Sequence, residues 1–297
     1  MEETQLSPRT NKSAWPAAVG ALSKSPQPPR SSSNACANSG TDSSVPTLNV
    51  YDFFAKLGKR VINPGGIAGR NRLLAALDIQ PGSRVLEIGC GSGHTACYLA
   101  ERFHCQVTAV DLSAGMIAAA RLRVTKAGLQ AQVRCETADI AGLPFAEHSF
   151  DYVVVQAVLM FVDKARALTE IQRVLKPGGQ FGAIEFAWHQ PPPDAVRDGT
   201  HQVCGCRVLE FHTCDEWASW LQRLRYQGVQ SQEHAFALLS IPGFVRDEGI
   251  INCLRILSRV LRQRGSIPRM VEIWGHFARH RAHFCYVLMT ARTCLAH

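Results

Sequence analysis

The chain of 297 residues has no long uninterrupted hydrophobic run. Its longest apolar stretch, 152–162, contains Gln156 and is about half the roughly 20 apolar residues that a bilayer-spanning helix needs. The N-terminus also lacks the compact apolar core of a secretory signal. We therefore expect a cytoplasmic globular protein without a transmembrane helix. Its 46% hydrophobic and 19% charged residues are typical of that class.

Acidic residues are scarce relative to basic ones, with 24 Asp and Glu against 32 Lys and Arg. Aromatic residues are not interleaved with the basic run and no nucleic-acid motif is present, so nucleic acid is not an expected partner. We expect the excess of basic residues to lie on a solvated helix face. The alternative is that it binds an anionic substrate or a membrane surface. Much of the excess lies in eight arginines of the C-terminal third: Arg246, Arg255, Arg259, Arg262, Arg264, Arg269, Arg279 and Arg281.

The paired C-x₂-C spacing of structural zinc sites is also missing. The 11 cysteines are odd in number and scattered, which predicts reduced thiols in an intracellular protein. The most unusual local feature is a group of His and Cys residues with irregular spacing, for which unligated, partly buried cysteines are the expected state and no metal site is predicted. This group is His201, Cys204, Cys206, His212 and Cys214.

The segment VLEIGCGSGHTACYLA, residues 85–100, is the most informative part of the chain. It predicts a short strand, a turn with glycine at every second position (Gly89, Gly91, Gly93) and an amphipathic helix. Glycine lets the backbone turn sharply and lets a flat ligand lie against it. A dinucleotide loop reads G-x-G-x-x-G, whereas here the third glycine comes one residue early. The acidic Glu87 before the loop suits a cationic ligand better than a phosphate.

The pattern E-x-G-x-G-x-G at the end of a strand resembles motif I of the class I S-adenosylmethionine (SAM)-dependent methyltransferases. Segments 107–121, 138–155 and 168–181 resemble the later motifs of that family in the right order. The chain is similar in particular to the ubiquinone/menaquinone C-methyltransferase-like enzymes, also called methyltransferase type 11. The resemblance implies an enzyme that transfers a methyl group from S-adenosyl-L-methionine to a small-molecule acceptor. The apolar content of 236–261 suits a hydrophobic acceptor, and the arginine excess suits an anionic one.

Strand and helix patterns alternate from residue 84 onward, which predicts an α/β fold with a doubly wound, Rossmann-like sheet. The apolar runs 107–110 and 153–155 do not alternate, as expected for strands covered by helices on both faces. The resemblance implies the seven-stranded class I methyltransferase sheet with helical insertions over the substrate site. The predicted strands are 84–89, 106–111, 131–136, 151–155, 179–186, 228–237 and 283–291, and the predicted helices are 50–61, 67–79, 93–103, 113–127, 164–175 and 214–226.

We expect two regions of different character along the chain. Residues 1–48 are rich in Ser and Pro and are predicted to be disordered, with organellar targeting as the alternative. Residues 49–297 form the methyltransferase domain, with N-terminal helices in 49–80, the SAM-binding core in 81–186, and substrate-side insertions and last strands in 187–297. In the insertion 239–281, five aliphatic residues repeat at helical spacing: Ile250, Ile251, Leu254, Leu257 and Leu261. The apolar content of 236–261 suits a hydrophobic acceptor or packs in a lid, and it includes Phe236, Leu238, Leu239, Ile241 and Phe244.

The resemblance assigns cofactor contacts residue by residue. Glu87 is expected near the methionine ammonium, and the three glycines are expected to leave room for the methionine and ribose. Asp111 ends the second strand, where a carboxylate can accept hydrogen bonds from both ribose hydroxyls, or it caps the following helix. Leu112 and Met116 flank the adenine, unless Met116 packs within its helix.

Further contacts follow from the later motifs. Asp139 and Ile140 are expected to touch the adenine, and Gln156 either lines the methyl-donor cavity or is a structural amide. Tyr51 lies in the helices that close over SAM in this family, or in the core.

The sequence gives fewer signals for the residues that contact the methyl acceptor. Gln156, Glu185 and His189 are the candidate catalytic residues, and His201 is a further candidate base, each with a purely structural role as the alternative.

Three other functions remain open. Arsenite methyltransferases resemble this fold and use cysteines, so Cys204 and Cys206 are candidates for a thiol or arsenite-type acceptor site. A non-catalytic SAM-fold binding protein is the second alternative. A nicotinamide-dependent oxidoreductase is the third, and His94 in place of the last glycine of a dinucleotide loop disfavours it.

Overall fold

A mostly parallel sheet forms the centre of the computed structural model, which describes residues 49–206, 208–236 and 241–295. The segment 1–48, predicted to be disordered, lies outside the described residues. The strand order is β3-β2-β1-β4-β5-β8-β7, with β6 paired to β5 and with β8 antiparallel to both of its neighbours. The strands are β1 (Arg84–Ile88), β2 (Gln106–Asp111), β3 (Val133–Thr137), β4 (Phe150–Gln156), β5 (Leu175–Trp188), β6 (His212–Thr213), β7 (Gln227–Ala235) and β8 (Phe284–Arg292).

Helices cover both faces of this sheet. Successive residues of one strand point to opposite faces, and Val85 and Leu86 accordingly belong to two different clusters of buried hydrophobic side chains. The helices are α1 (Val50–Leu57), α2 (Gly66–Ala76), α3 (His94–Phe103), α4 (Ala114–Ala127), α5 (Lys164–Val174), α6 (Asp194–Cys204), α7 (Cys214–Arg223), α8 (Ile241–Arg262) and α9 (Ser266–Arg279). In the described part of the chain, no helix has the length and apolarity needed to cross a bilayer.

The predicted α/β, Rossmann-like fold is confirmed. The described residues form eight strands rather than seven, because the two-residue strand β6 pairs with Ala187 and Trp188 at the end of β5. β5 is also longer than predicted. The predicted strand began at residue 179, whereas β5 begins at Leu175 and includes Gly178, which has a positive φ of 73°.

The sheet order places a crevice at the carboxyl ends of the central strands. The chain runs from β1 outward to β2 and β3 on one side, and from β4 to β5 on the other. In open α/β sheets, ligands bind where the strand order reverses in this way, because the connecting segments diverge there. The helices α1 and α2 and the loop 59–63 between them border this crevice.

Candidate active site

A cavity of about 720 Å³ occupies the crevice at the carboxyl ends of β1, β2, β3 and β4. Its volume lies within the range of roughly 300–1,000 Å³ that is typical of small-molecule sites. The structure brings together ten of the residues that the sequence assigned to a cofactor. These are Tyr51, Glu87, Gly89, Gly91, Asp111, Leu112, Met116, Asp139, Ile140 and Gln156.

The three glycines of the loop after β1 have different surroundings. A Cβ on Gly91 would meet no atom within 4 Å, so this residue leaves open space toward the cavity. A Cβ on Gly89 would lie 2.2 Å from Cγ2 of Val158, so its glycine permits close packing against the segment after β4. Gly93 does not line the cavity, contrary to expectation. Its Cβ would lie 3.0 Å from Cβ of Ala120, so it lets α3 approach α4.

Glu87 is buried at the end of β1, and burial raises the pKa of its carboxyl to about 8. It accepts hydrogen bonds from Thr95 and from the Ala96 amide. The Thr95 hydroxyl in turn accepts from Nε2 of Gln156 (3.2 Å), and Oε1 of Gln156 accepts from Nδ2 of Asn63 (3.0 Å). These contacts join β1, α3, β4 and the loop after α1 in one polar network.

Two buried oxygens of this network have no hydrogen-bond donor in the described residues: Oε2 of Glu87 and Oδ1 of Asn63. Both residues line the cavity. A buried acceptor without a donor is costly, and an ammonium group would bring three N–H donors. The residues present therefore fit the methionine ammonium of SAM.

Asp111 and Asp139 lie farther along the same sheet edge. Oδ2 of Asp111 accepts from the Gly91 amide and Oδ1 from the Ser113 amide, both at 2.9 Å. The cap of α4 is Ser113, whose side chain accepts from the Met116 amide, so Asp111 does not cap that helix. Asp139 is exposed, and its Oδ1 accepts from the Ala141 amide at 2.9 Å.

The cavity is apolar at the end of β4. Val158 and Phe161 follow this strand, and Tyr51 and Ile62 approach from the N-terminal helices. The Tyr51 ring packs edge-on against Phe161 with centroids 4.9 Å apart. Since the strand order is β3-β2-β1-β4, carboxylates lie at one end of the cavity and aromatic and aliphatic side chains at the other.

Glu185 does not reach the cavity. It is fully buried, and its carboxylate accepts from the amides of Val158 (3.0 Å), Leu159 (2.9 Å) and Met160 (3.4 Å), holding the turn after β4. Burial raises its pKa to about 7. Since all three donors belong to one turn, its position is that of a structural cap rather than a catalytic group.

His189 and His201 also lie outside the cavity lining. The exposed His189 has its Nδ1 2.6 Å from Oε1 of Glu233 on β7. Of the three catalytic candidates in the sequence, only Gln156 lines the cavity.

Other cavity residues were not assigned to the cofactor or to catalysis from the sequence. His94 begins α3 directly after the glycine loop, and burial lowers its pKa to about 4, so the ring is neutral at physiological pH. Its position in the loop motif was the available signal. Arg60 and Arg70 line the N-terminal side of the cavity, and no spacing pattern marked them.

The His and Cys group between 201 and 214 does not form a second site. Cys204 is buried, and burial raises the pKa of its thiol to about 12, so it is a poor nucleophile. Neither Cys204 nor Cys206 lines the large cavity. Within the described ranges, no three His, Cys, Asp or Glu side chains are grouped so as to hold a metal ion. The arsenite-type alternative is therefore not favoured.

Comparisons with known proteins agree with this geometry. The methyltransferase domain family matches residues 86–183. The methyltransferase GfsG of Streptomyces halstedii is 34% identical over 83% of this chain and 84% of its own length. The ubiquinone/menaquinone biosynthesis C-methyltransferase UbiE of Xanthomonas campestris is 37% identical, over 42% of this chain and 52% of its own length.

A solved structure shares the fold. Haemonchus contortus phosphoethanolamine N-methyltransferase 2, in complex with phosphomonomethylethanolamine and S-adenosylhomocysteine, superposes with a TM-score of 0.65 at 21% identity. The match covers 82% of this chain and 57% of that one. Together with the sequence relatives, the fold and the cavity identify the chain as a member of the class I methyltransferase family. It is a SAM-dependent methyltransferase.

Proposed function

We propose that the chain methylates a small, largely apolar molecule that lies against the β4 end of the cavity. The observation that carries this proposal is the division of the cavity, with carboxylates after β2 and β3 and with Tyr51, Ile62, Val158 and Phe161 around the end of β4. A charged nucleoside suits the first end and an apolar acceptor the second. Gln156, at the end of β4, lies between them.

At the first end, Asp111 would accept the ribose hydroxyls while its bonds to the Gly91 and Ser113 amides keep it in place. Asp139 would accept from the adenine amine, and the exposed Leu112 would cover the ring. Oε2 of Glu87 and Oδ1 of Asn63 would accept from the methionine ammonium. SAM, when bound, supplies a methyl group on a positively charged sulfur.

At the second end, this chain's contribution is orientation and exclusion of water. The Gln156 amide is held at both ends by Asn63 and Thr95, so it fixes the wall between donor and acceptor and does not move a proton. The edge-on pair of Tyr51 and Phe161 offers an apolar wall for the acceptor.

The names of the relatives bear on the acceptor only in part. UbiE acts in ubiquinone and menaquinone biosynthesis, and the Haemonchus enzyme binds phosphomonomethylethanolamine. The apolar β4 end supports an acceptor that resembles ubiquinone or menaquinone more than phosphomonomethylethanolamine.

We also propose a cytoplasmic location, which is supported by ten cysteines of the described part that form no disulfide. We further propose a methyltransferase domain that spans 49–297.

Calorimetric titration with S-adenosylhomocysteine tests the cofactor assignment. Asp111→Ala should weaken binding at least tenfold, because it removes charge-assisted hydrogen bonds. Asp215→Ala, which removes the same charge from the first turn of α7 outside the cavity, is the matched control. Equal affinity of Asp111→Ala and wild type would overturn the assignment, and no binding to wild type would favour a non-catalytic protein.

The acceptor class is tested with radioactive SAM. We expect label to pass to apolar acceptors with a nucleophilic ring carbon or phenol oxygen, such as hydroquinones, and not to amines, small thiols or arsenite. Transfer to the polar acceptors alone would refute an apolar acceptor and leave the cofactor assignment intact.

A further inference from the structure

The helix α8 is broken at Gly249, whose φ of 72° and ψ of 156° are not helical. The part after the break, 250–262, packs its inner side on α1. Ile256 and Val260 are buried, and Asn252 and Arg259 donate hydrogen bonds to the carbonyls of Gly58 (3.1 Å) and Leu57 (3.0 Å). These contacts fix which side of the helix faces solvent.

The opposite side carries the five aliphatic residues of the sequence repeat, which we call the outer face. They do not line the cavity, although the resemblance implies that insertions in this part of the chain cover the substrate site. Their exposed fractions are 71% for Ile250, 69% for Ile251, 61% for Leu254, 53% for Leu257 and 67% for Leu261. Large aliphatic side chains grouped in this way on a surface mark an interaction site.

The next helix continues the pattern. Ile267 and Val271 lie one turn apart on α9 and are 51% and 65% exposed. Two consecutive helices therefore present aliphatic side chains to solvent.

The charged residues that follow the break along the chain are all basic as far as Val271, and the next residue, Glu272, forms an ion pair with Arg269. From Gly249 to Val271 the chain has five arginines and no acidic residue. Arg255 and Arg262 are exposed and directly follow Leu254 and Leu261. An apolar helix face with arginines at its border is typical of a helix that lies in the interface of an anionic bilayer. A two-fold contact with a second copy would instead place this arginine-rich segment against itself.

The outer face is tied to the rim of the cavity. Glu248, directly before the break, is buried and accepts from the amides of Arg60 (2.9 Å) and Val61 (3.1 Å), and its Oε1 lies 3.5 Å from Nζ of Lys59. All three of these partners line the cavity. A partner or membrane bound to the outer face would therefore lie beside residues 59–61, which line one side of the cavity.

We propose that the outer face of α8 docks on an anionic membrane surface, by inserting its aliphatic side chains between headgroups while Arg255 and Arg262 contact lipid phosphates. This goes beyond methyl transfer and does not depend on the acceptor. Vesicle co-sedimentation of the full chain tests it, with phosphatidylcholine vesicles compared against vesicles in which a third of the lipid is phosphatidylglycerol.

We expect wild type to bind the anionic vesicles at least tenfold more tightly than the neutral ones, and less tightly as salt rises. The double variant Leu254→Ser/Leu257→Ser should lose at least tenfold in binding. Arg255→Gln/Arg262→Gln should lose several-fold and show a weaker salt dependence. Leu122→Ser, at an exposed leucine of α4, is the matched control and should bind like wild type.

Each variant is also titrated with S-adenosylhomocysteine, so that a folding defect is recognised by lost ligand binding. Unchanged vesicle binding in both double variants, or no preference of wild type for anionic lipid, would overturn the proposal. A wild-type dimer in sedimentation velocity that Leu254→Ser/Leu257→Ser converts to a monomer would show that a second copy covers the face instead.

Discussion

At the scale of single residues, Gly91 is the loop glycine that opens into the cavity. We predict that Gly91→Ala weakens S-adenosylhomocysteine binding at least tenfold, because the new methyl group occupies ligand space. Gly82→Ala is the control, since both glycines have a positive φ (51° and 77°) and no atom near the Cβ position. Both variants carry the same backbone strain of about 1 kcal/mol. Thermal denaturation should therefore show that both substitutions lower the melting temperature equally. Calorimetric titration should show weaker S-adenosylhomocysteine binding for Gly91→Ala alone.

Glu87 links ligand binding to pH. Its folded pKa of about 8 lies above the ordinary glutamate value. The free energy of unfolding therefore falls as pH rises from the ordinary glutamate pKa to about 8, because the unfolded chain ionises Glu87 more readily than the folded protein does. Glu87→Gln should raise the melting temperature of the ligand-free protein at pH 8 and change it little at pH 5. The same variant should weaken S-adenosylhomocysteine binding, because a neutral amide pairs less well with an ammonium.

The pH profile of binding checks this interpretation. Wild-type affinity should rise between pH 6 and 8 as Glu87 ionises, by at most about tenfold per pH unit, and the Glu87→Gln affinity should be nearly flat. An identical profile in both proteins would show that Glu87 does not face the ammonium.

At the scale of elements, Glu185 joins β5 to the turn after β4. Glu185→Ala would leave three amides, those of the buried Leu159 and Met160 and of the partly buried Val158, without an acceptor. It should destabilise the protein by about 3 kcal/mol or more in urea denaturation. Glu185→Gln should cost less, because Oε1, which serves the Val158 and Leu159 amides, is retained. If Glu185→Gln instead abolished methyl transfer at full stability, the residue would be catalytic after all.

Element boundaries show what local patterns decide. β2 falls where it was predicted, at 106–111, because an apolar run ends at a carboxylate there. The 11-residue helix α6 (Asp194–Cys204) was not predicted, since its segment begins with three prolines and contains Gly199. Its buried side, which includes Val196 and Val203, is stabilised by packing that the local sequence does not display.

At the scale of the whole molecule, ligand binding should stabilise the fold. S-adenosylhomocysteine at about 100 times its dissociation constant should add about 2.7 kcal/mol to the free energy of unfolding. A chain of this size should then melt about 5–10 °C higher. NADH at the same concentration should produce no shift, and a shift with NADH alone would favour the nicotinamide-dependent alternative.

The sequence by itself determined the class of fold, the glycine loop and the carboxylates at the strand ends. These features rest on local periodicity, and the carboxyl ends of parallel strands necessarily meet at one edge of the sheet. Asp111 was therefore placed at this edge by its position at the end of a predicted strand, and Asp139 by its resemblance to a methyltransferase motif, without knowledge of a single tertiary contact.

Only the tertiary structure decided which of these residues line the cavity. The Asn63–Gln156 and Gln156–Thr95 hydrogen bonds join residues 93 and 61 positions apart, and no spacing pattern encodes such a pair. The same holds for Glu185, which turned inward to three amides, and for Leu254, which turned outward. Which side of a strand or helix is buried depends on what packs against it, and that is a property of the assembled chain.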